Sequence, residues 1–192
     1  GGIDTVELAK KYGTPLYVMD EQLIRKSCRS FKSSIDKFYG GNGLVCYASK
    51  AFCCKEMCRI MKDEGIGLDV VSIGELYTAV KSGFDCDKIC FHGNNKTNEE
   101  LEFAVENNIG HIIVDNISEL ERLSAIAKAK GVTAKIMFRI KPGIDAHTHN
   151  FVKTGQIDSK FGFALETGEA FDAVKKAVES ENIILRGLHC HI

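Results

Sequence analysis

Short apolar runs recur along the chain at nearly equal spacing. They begin near residues 44, 68, 89, 112 and 135, and a last run covers residues 183–190. Their length and their bounding polar or glycine-containing turns favour buried strands. Pro15-Leu16-Tyr17-Val18-Met19 predicts one earlier strand, at residues 15–19.

Amphipathic segments lie between these runs, with apolar residues at helical spacing. The last of these segments carries Phe171, Val174 and Val178. Two motifs fit capping boxes at helix starts, Thr97-Asn98-Glu99-Glu100 and Ser118-Glu119-Leu120-Glu121. We expect one helix after a cap at Asp20, and further helices over 53–64, 98–107, 117–130 and about 168–179.

Alternating strands and helices of constant period predict an α/β fold with a parallel sheet. The sheet is either open and doubly wound or closed as a barrel. No G-x-G-x-x-G motif follows the first strand, which disfavours a dinucleotide fold. Polar residues end nearly every strand, as in a (β/α)₈ TIM-type barrel, whose strand ends carry the chemistry. We therefore expect the barrel.

The pattern supplies about six βα units, whereas a complete barrel has eight. We expect a strand and helix within residues 1–40, the strand belonging to a β domain. The barrel would occupy residues 41–192 and stop after strand six. Such a fragment should be poorly stable alone, because parallel edge strands remain open.

Composition narrows the class of protein. The 192 residues are 44% hydrophobic and 27% charged, with a formal net charge of −1, so we expect no nucleic-acid or membrane partner. Eight cysteines without an export signal favour free thiols in a reducing cytoplasm. Their spacing contains no paired C-x-x-C motifs, and no metal site is predicted.

The candidate chemistry lies at the predicted strand ends. A lone lysine there is ordinarily a solvated charge, but a desolvated amine at Lys50 can form an imine with an aldehyde. Glu75 fits a helix-capping role after Ser72. His147 and His149 lie in a long irregular stretch, which is typical of a binding loop or lid. The other candidates at strand ends are Asp69, His92, Asp115, Arg139, His189 and His191.

Several motifs together resemble the diaminopimelate decarboxylases, a family of barrel-type (fold type III, alanine racemase-like) pyridoxal-phosphate enzymes. The Ala-His-Thr-His loop separates this family from ornithine and arginine decarboxylases. The motifs are Tyr47-Ala48-Ser49-Lys50-Ala51, Gly67-Leu68-Asp69-Val70-Val71-Ser72, His92-Gly93-Asn94, Pro142-Gly143-Ile144-Asp145-Ala146-His147-Thr148-His149, Ser159-Lys160-Phe161-Gly162 and Gly187-Leu188-His189-Cys190-His191-Ile192.

The resemblance implies roles for particular residues. Lys50 would hold pyridoxal 5'-phosphate as an aldimine, and His191 would stack on the cofactor ring. Arg139 would lie near the ring hydroxyl, while Ala48, Asp69 and, more weakly matched, His92 would line the cofactor pocket.

The implied reaction converts meso-2,6-diaminopimelate to L-lysine and CO₂, the last step of lysine biosynthesis, in a cytoplasmic homodimer with shared active sites. Family members hold the phosphate, the pyridine nitrogen and the substrate with residues beyond Ile192. We therefore expect negligible decarboxylase activity from these 192 residues alone.

Four alternatives stay open. The first is a related decarboxylase acting on a basic amino acid or a carboxylated polyamine. The second is an amino-acid racemase with a similar barrel, and the third is a pyridoxal-phosphate-binding protein without turnover. The last is a structural barrel, which the polar strand ends disfavour.

Overall fold

The computed structural model describes residues 2–143 and 160–192. Within these residues the strands are β1 Cys46–Ala48, β2 Gly67–Val70, β3 Ile89–Phe91, β4 His111–Val114, β5 Ala134–Lys141, β6 Phe163–Ala164 and β7 Ile183–His189. The α-helices are α1 Thr5–Tyr12, α2 Glu21–Tyr39, α3 Lys55–Asp63, α4 Ile73–Lys81, α5 Asn98–Glu106, α6 Ile117–Lys130 and α7 Glu169–Val178. Two short 3-10 helices cover Ser49–Ala51 and Cys86–Lys88.

The strands form one parallel sheet in the order β1-β2-β3-β4-β5. Strand β7 pairs with β5 over Ala134 to Arg139, and the short β6 pairs with the last two residues of β5. The six predicted βα strands correspond to β1–β5 and β7. An incomplete TIM-like barrel is therefore confirmed, and its carboxyl strand ends share one edge.

The two faces of the sheet differ in polarity because strand side chains alternate. The face toward the helices is apolar, and Leu68, Phe91, Val114 and Phe138 are at most 1% exposed. The opposite face is the inner wall of the barrel. It carries partly buried polar residues, among them Asp69, Cys90, Arg139 and His189.

The predicted strand at residues 15–19 is wrong. The segment forms no strand, and Tyr17 is 95% exposed. A strand needs a neighbour for its backbone hydrogen bonds, and the described residues supply none there. Helix α1, capped by Asp4, had no counterpart in the pattern.

Two helix details also differ from expectation. Helix α6 is capped by Asn116, whose side chain accepts from the Glu119 amide, so Ser118 lies inside the helix. In α7, Phe171 is 72% exposed, and the buried face consists of Ala170, Ala173 and Ala177. The alanines allow close approach to the sheet, which the larger side chains would prevent.

Helix α2 packs against α3. Cys28 contacts Met61 across 3.7 Å between sulfur atoms, and both side chains are buried. Arg25 and Arg29 pair with Glu64 at the end of α3. None of the helices in the described part of the chain is both long and apolar enough to cross a membrane.

Candidate functional site

Lys50 lies on the short helical turn that follows β1, at the carboxyl edge of the sheet. Its side chain is exposed, whereas the neighbouring Ser49 is only 1% exposed. Because Lys50 is not on the strand itself, the alternation that places Cys46 and Ala48 on one face does not extend to it. The orientation of this turn therefore decides where the Lys50 amine points.

A hydrogen-bond cluster around Glu75 holds that turn. Ser49 Oγ lies 2.5 Å from Glu75 Oε2 and 2.8 Å from the Asp69 carbonyl oxygen, and it shares its single proton between them. Glu75 also accepts from the Val71 amide at 3.0 Å and from the Ser72 hydroxyl at 3.1 Å. The carboxylate thus ties the turn after β1 to the loop after β2, in addition to lying at the start of α4.

Asp69, His92 and His189 lie together on the inner wall. Asp69 Oδ1 is 3.3 Å from His92 Nε2, and the His92 and His189 rings meet edge to face with centroids 4.9 Å apart. Burial, reinforced by the charges of His92 and Arg139, lowers the pKa of His189 to about 4. His189 is therefore neutral at physiological pH.

Arg139 comes from the end of β5, opposite His189 in the strand register. Its Nη1 is 3.8 Å from Asp115 Oδ1, and its guanidinium lies 4.4 Å from the centre of the Phe161 ring. The Asp115 carboxylate also accepts from the Gly162 amide at 3.1 Å. Burial lowers the pKa of Arg139, and Asp115 opposes that shift.

His191 follows the end of β7. Partial burial lowers its pKa, and the positive charges of Arg139 and Lys50 lower it further. These three residues therefore lie within electrostatic range of one another. Ala48 pairs with Asp69 across β1 and β2, which puts a small side chain beside the carboxylate.

A buried ion pair, Lys96–Glu119, connects the loops at the carboxyl edge of the sheet. Lys96 Nζ is 2.8 Å from Glu119 Oε1, and both side chains are 1% exposed. Lys96 also donates to the carbonyl oxygens of Gly93 and Ile113, and Glu119 accepts from the Asp115 amide. The pair thereby anchors the loops after β3 and β4.

The structure brings the six predicted site residues to one edge of the sheet: Ala48, Lys50, Asp69, His92, Arg139 and His191. Two supporting residues, Ser49 and Lys96, were not predicted as part of the site, whereas His189 was a candidate at a strand end without an assigned cofactor role. His189 shares strand parity with His191, which was the available signal. His147 and His149 lie outside the described residues.

These side chains fit a flat, polar, aldehyde-bearing cofactor. Two buried ring nitrogens, His92 Nε2 and His189 Nδ1, have no hydrogen-bond partner within the described structure, since the contact from His92 to Asp69 lacks hydrogen-bond geometry. An amine, two imidazoles and a guanidinium on one wall match the groups that such a cofactor needs.

Comparison with known proteins decides which family this site belongs to. Residues 21–192 match the model of the pyridoxal-dependent decarboxylases, pyridoxal binding domain. The chain belongs to this family. The predicted pyridoxal cofactor is thereby confirmed as that of the domain.

Relatives of this pyridoxal binding domain share its sequence and fold. The diaminopimelate decarboxylase of Bacillus methanolicus is 52% identical over 192 residues, which is all of this chain and 44% of that protein. The diaminopimelate decarboxylase structure from M. jannaschii in complex with L-lysine superposes with a TM-score of 0.89 at 42% identity, covering 100% of this chain and 45% of that one.

The Helicobacter pylori diaminopimelate decarboxylase structure, also complexed with L-lysine, gives a TM-score of 0.88 at 33% identity. It covers 98% of this chain and 47% of that chain. The chain thus spans less than half the length of the relatives it matches.

Proposed function

We propose that this domain serves the decarboxylation of meso-2,6-diaminopimelate to L-lysine and CO₂, the last step of lysine biosynthesis. Two observations from relatives support the substrate: the similar Bacillus protein is named diaminopimelate decarboxylase, and the similar structures hold L-lysine. The observation that carries the proposal in this chain is the exposed Lys50 at the same sheet edge as Asp69, His92, Arg139 and His191.

In this proposal Lys50 is the residue that binds the cofactor covalently. Its amine would hold the cofactor through its aldehyde carbon, with loss of water, and the Ser49–Glu75 hydrogen bond orients the turn that carries this amine. The bound cofactor supplies an electron sink for cleavage of the bond to the carboxylate. Ala48, beside Asp69, leaves room for the ring above the sheet.

The remaining side chains orient and protect the cofactor. His191 would pack its imidazole against the ring, and Arg139, which forms an ion pair with Asp115, would donate to a ring oxygen. Asp69 Oδ1 lies 3.3 Å from His92 Nε2, and the His189 ring packs edge to face on the His92 ring, which leaves both side chains to line the pocket. The polar wall thus holds one face of the cofactor, while the apolar face of the sheet packs on the helices.

The domain boundary, the assembly and the location follow from the same proposal. We place the cofactor-binding barrel at residues 41–192, with residues 1–40 as the entry into it. Free cysteines support a cytoplasmic protein, because cytosolic thiols stay reduced. The family resemblance supports a homodimer with shared active sites, and sedimentation of the full-length protein measures its mass.

A substrate panel tests the function. The full-length protein carrying this domain should release CO₂ and L-lysine from meso-diaminopimelate, and Lys50→Ala should lower the rate more than about 1,000-fold. Lys55→Ala, an exposed lysine at the start of α3, is the matched control. Faster turnover of ornithine, arginine or a carboxylated polyamine would contradict the proposed substrate.

A further inference from the structure

We propose that Cys46, Asp69 and Cys90 form a binding site for one thiophilic divalent cation of the Zn²⁺ class, on the inner wall of the barrel. Their two sulfur atoms and one carboxylate oxygen all lie within 4.8 Å of one another, and each side chain is partly buried. Two thiolates and a carboxylate are ligands that Zn²⁺ takes in proteins.

The strand register creates this cluster. Cys46 of β1 pairs with Gly67 of β2, and Asp69 of β2 pairs with Cys90 of β3. The thiols therefore approach from the strands on either side of β2, and the carboxylate rises between them. All three side chains point to the inner wall, because residues 67 and 69 share one parity.

Gly67 makes room for the thiol of Cys46. A Cβ atom at residue 67 would lie 2.8 Å from Cys46 Sγ and equally close to the Lys88 carbonyl oxygen, closer than a side chain tolerates. Its φ is not in the left-handed region, so backbone conformation does not require glycine there. The space allows Cys46 to reach across β2 toward Cys90, as a shared ligand demands.

The geometry fits a bridging metal better than a disulfide. Strands β1 and β3 are two sheet spacings apart, about 9 to 10 Å, whereas bridged cysteines have Cα atoms at most about 7 Å apart. With Zn–S bonds of about 2.3 Å, tetrahedral coordination separates two sulfurs by about 3.8 Å. That separation lies within the 4.8 Å span of the cluster.

A cation also resolves the electrostatics of the cluster. The hydrogen bond to Cys90, burial and the Asp69 charge raise the pKa of Cys46. The same hydrogen bond lowers the pKa of Cys90. The two thiols and the Asp69 carboxylate lie close together in a partly buried site, where a bound divalent cation would stabilise both sulfurs as thiolates.

The site is coupled to the cofactor wall through Asp69, whose Oδ1 lies 3.3 Å from His92 Nε2. When the Asp69 carboxylate binds a metal, its negative charge is partly neutralised and it interacts less strongly with the His92 imidazole. This coupling rests on the proposed function, whereas metal binding itself does not. Zn²⁺ should then slow capture of pyridoxal phosphate in the wild type, but not in Cys46→Ser.

The direct test titrates the full-length protein with Cd²⁺ and follows the ultraviolet absorption of cadmium–thiolate bonds. Zn²⁺ affinity is measured by competition with a chromophoric chelator. We expect one cation per chain at this site, with Cys46→Ser and Cys90→Ser each weakening it more than about 100-fold. Cys86→Ser and Cys190→Ser, outside the cluster, should leave it unchanged.

A second measurement needs no variant. Alkylation followed by peptide mapping should show that Zn²⁺ protects Cys46 and Cys90 from iodoacetamide, but not Cys190. Equal alkylation of Cys46 and Cys90 with and without Zn²⁺ would overturn the site. Unchanged Cd²⁺ affinity in Cys46→Ser would also overturn it. So would a cadmium–thiolate absorption that depends on Cys54 and Cys58 instead of Cys46 and Cys90. Zn²⁺ that slows cofactor capture equally in wild type and Cys46→Ser would overturn the coupling.

Discussion

Ser49 shows how one small side chain sets the position of the candidate catalytic lysine. It is 1% exposed, and its hydroxyl lies between Glu75 and the Asp69 carbonyl oxygen. The lysine was identified from its motif and its place at a strand end. The support from Ser49 and Glu75 depends on contacts between β1 and β2 that no sequence pattern specifies.

Removing the Ser49 hydroxyl should therefore affect Lys50. Ser49→Ala leaves the partly buried Glu75 carboxylate short of one donor, and we expect the free energy of unfolding to fall by about 1 to 3 kcal/mol. Cofactor capture by Lys50 should slow as well. Denaturant unfolding and absorbance measure the two effects. Ser49→Thr, which keeps the hydroxyl, should restore both, and an unaffected capture rate in Ser49→Ala would contradict a positioning role.

His189 predicts a pH dependence of stability. Its pKa is lowered from 6.5 to about 4 in the folded protein, so the unfolded chain binds more protons between these values. The stabilisation is complete above about pH 6.5 and is lost as the pH falls toward 4. Because the ring is only partly buried, we expect this group to lower the free energy of unfolding at pH 5 by about 1 to 2 kcal/mol relative to pH 7.

The variant His189→Gln isolates this contribution. The difference in unfolding free energy between pH 7 and pH 5 should be smaller in the variant than in the wild type, measured by urea titration at both values. Other groups titrate in both proteins and cancel in the comparison. An identical pH dependence would show that His189 is not held neutral by the fold.

At the scale of elements, helix placement was predictable and helix orientation less so. Capping at Asp20 and the Thr97–Glu100 capping box were confirmed, as were the buried stripes of α3, α5 and α6. In α7 the expected apolar face was wrong, because Phe171 points outward and alanines pack on the sheet. The helical period places the three alanines on one face of α7 and Phe171, Val174 and Val178 on another. The period alone does not show which of these faces packs on the sheet.

The Lys96–Glu119 pair joins two of these elements and should be sensitive to loss of one partner. Burial lowers the pKa of Lys96 and raises that of Glu119, while mutual attraction opposes both shifts. Lys96→Met leaves a buried carboxylate unpaired, and we expect a loss of about 3 to 5 kcal/mol in unfolding free energy.

A double variant separates the pair from its packing. Lys96→Met combined with Glu119→Leu should cost less than Lys96→Met alone, as measured by chemical unfolding. Lys130→Met removes an exposed pair with Glu106 and serves as the surface control, expected to cost less than about 1 kcal/mol. Strictly additive effects of the two core substitutions would contradict a coupled ion pair.

At the scale of the whole molecule, the parallel α/β order and the barrel-like inner wall followed from regular spacing and from polar strand ends. Strand β6 was not predicted, because two residues are too few to show the apolar run or alternation that indicates a strand. The cation cluster also escaped, since Cys46, Asp69 and Cys90 are far apart in sequence and meet only through the register of three strands.

The segment between α1 and α2 lies outside the packed barrel. Helix α1 contains no buried residue, and Tyr17 is 95% exposed in a segment without helix or strand. Chymotrypsin should cleave after Tyr17 faster than after Tyr77, which is 51% exposed but helical in α4. Mass spectrometry of early products measures both cuts. Earlier cleavage at Tyr77 would mean that α4 opens before this segment does.

The central claim is that Lys50 is the covalent anchor of a pyridoxal cofactor, and borohydride trapping tests it most directly. The full-length protein is loaded with pyridoxal phosphate, reduced with borohydride, digested and mapped by mass spectrometry, beside Lys50→Arg and the control Lys55→Arg. We predict one modified peptide carrying the cofactor on Lys50, present in the control and absent in Lys50→Arg. Modification of another lysine in the wild type, or an unchanged yield in Lys50→Arg, would contradict the account.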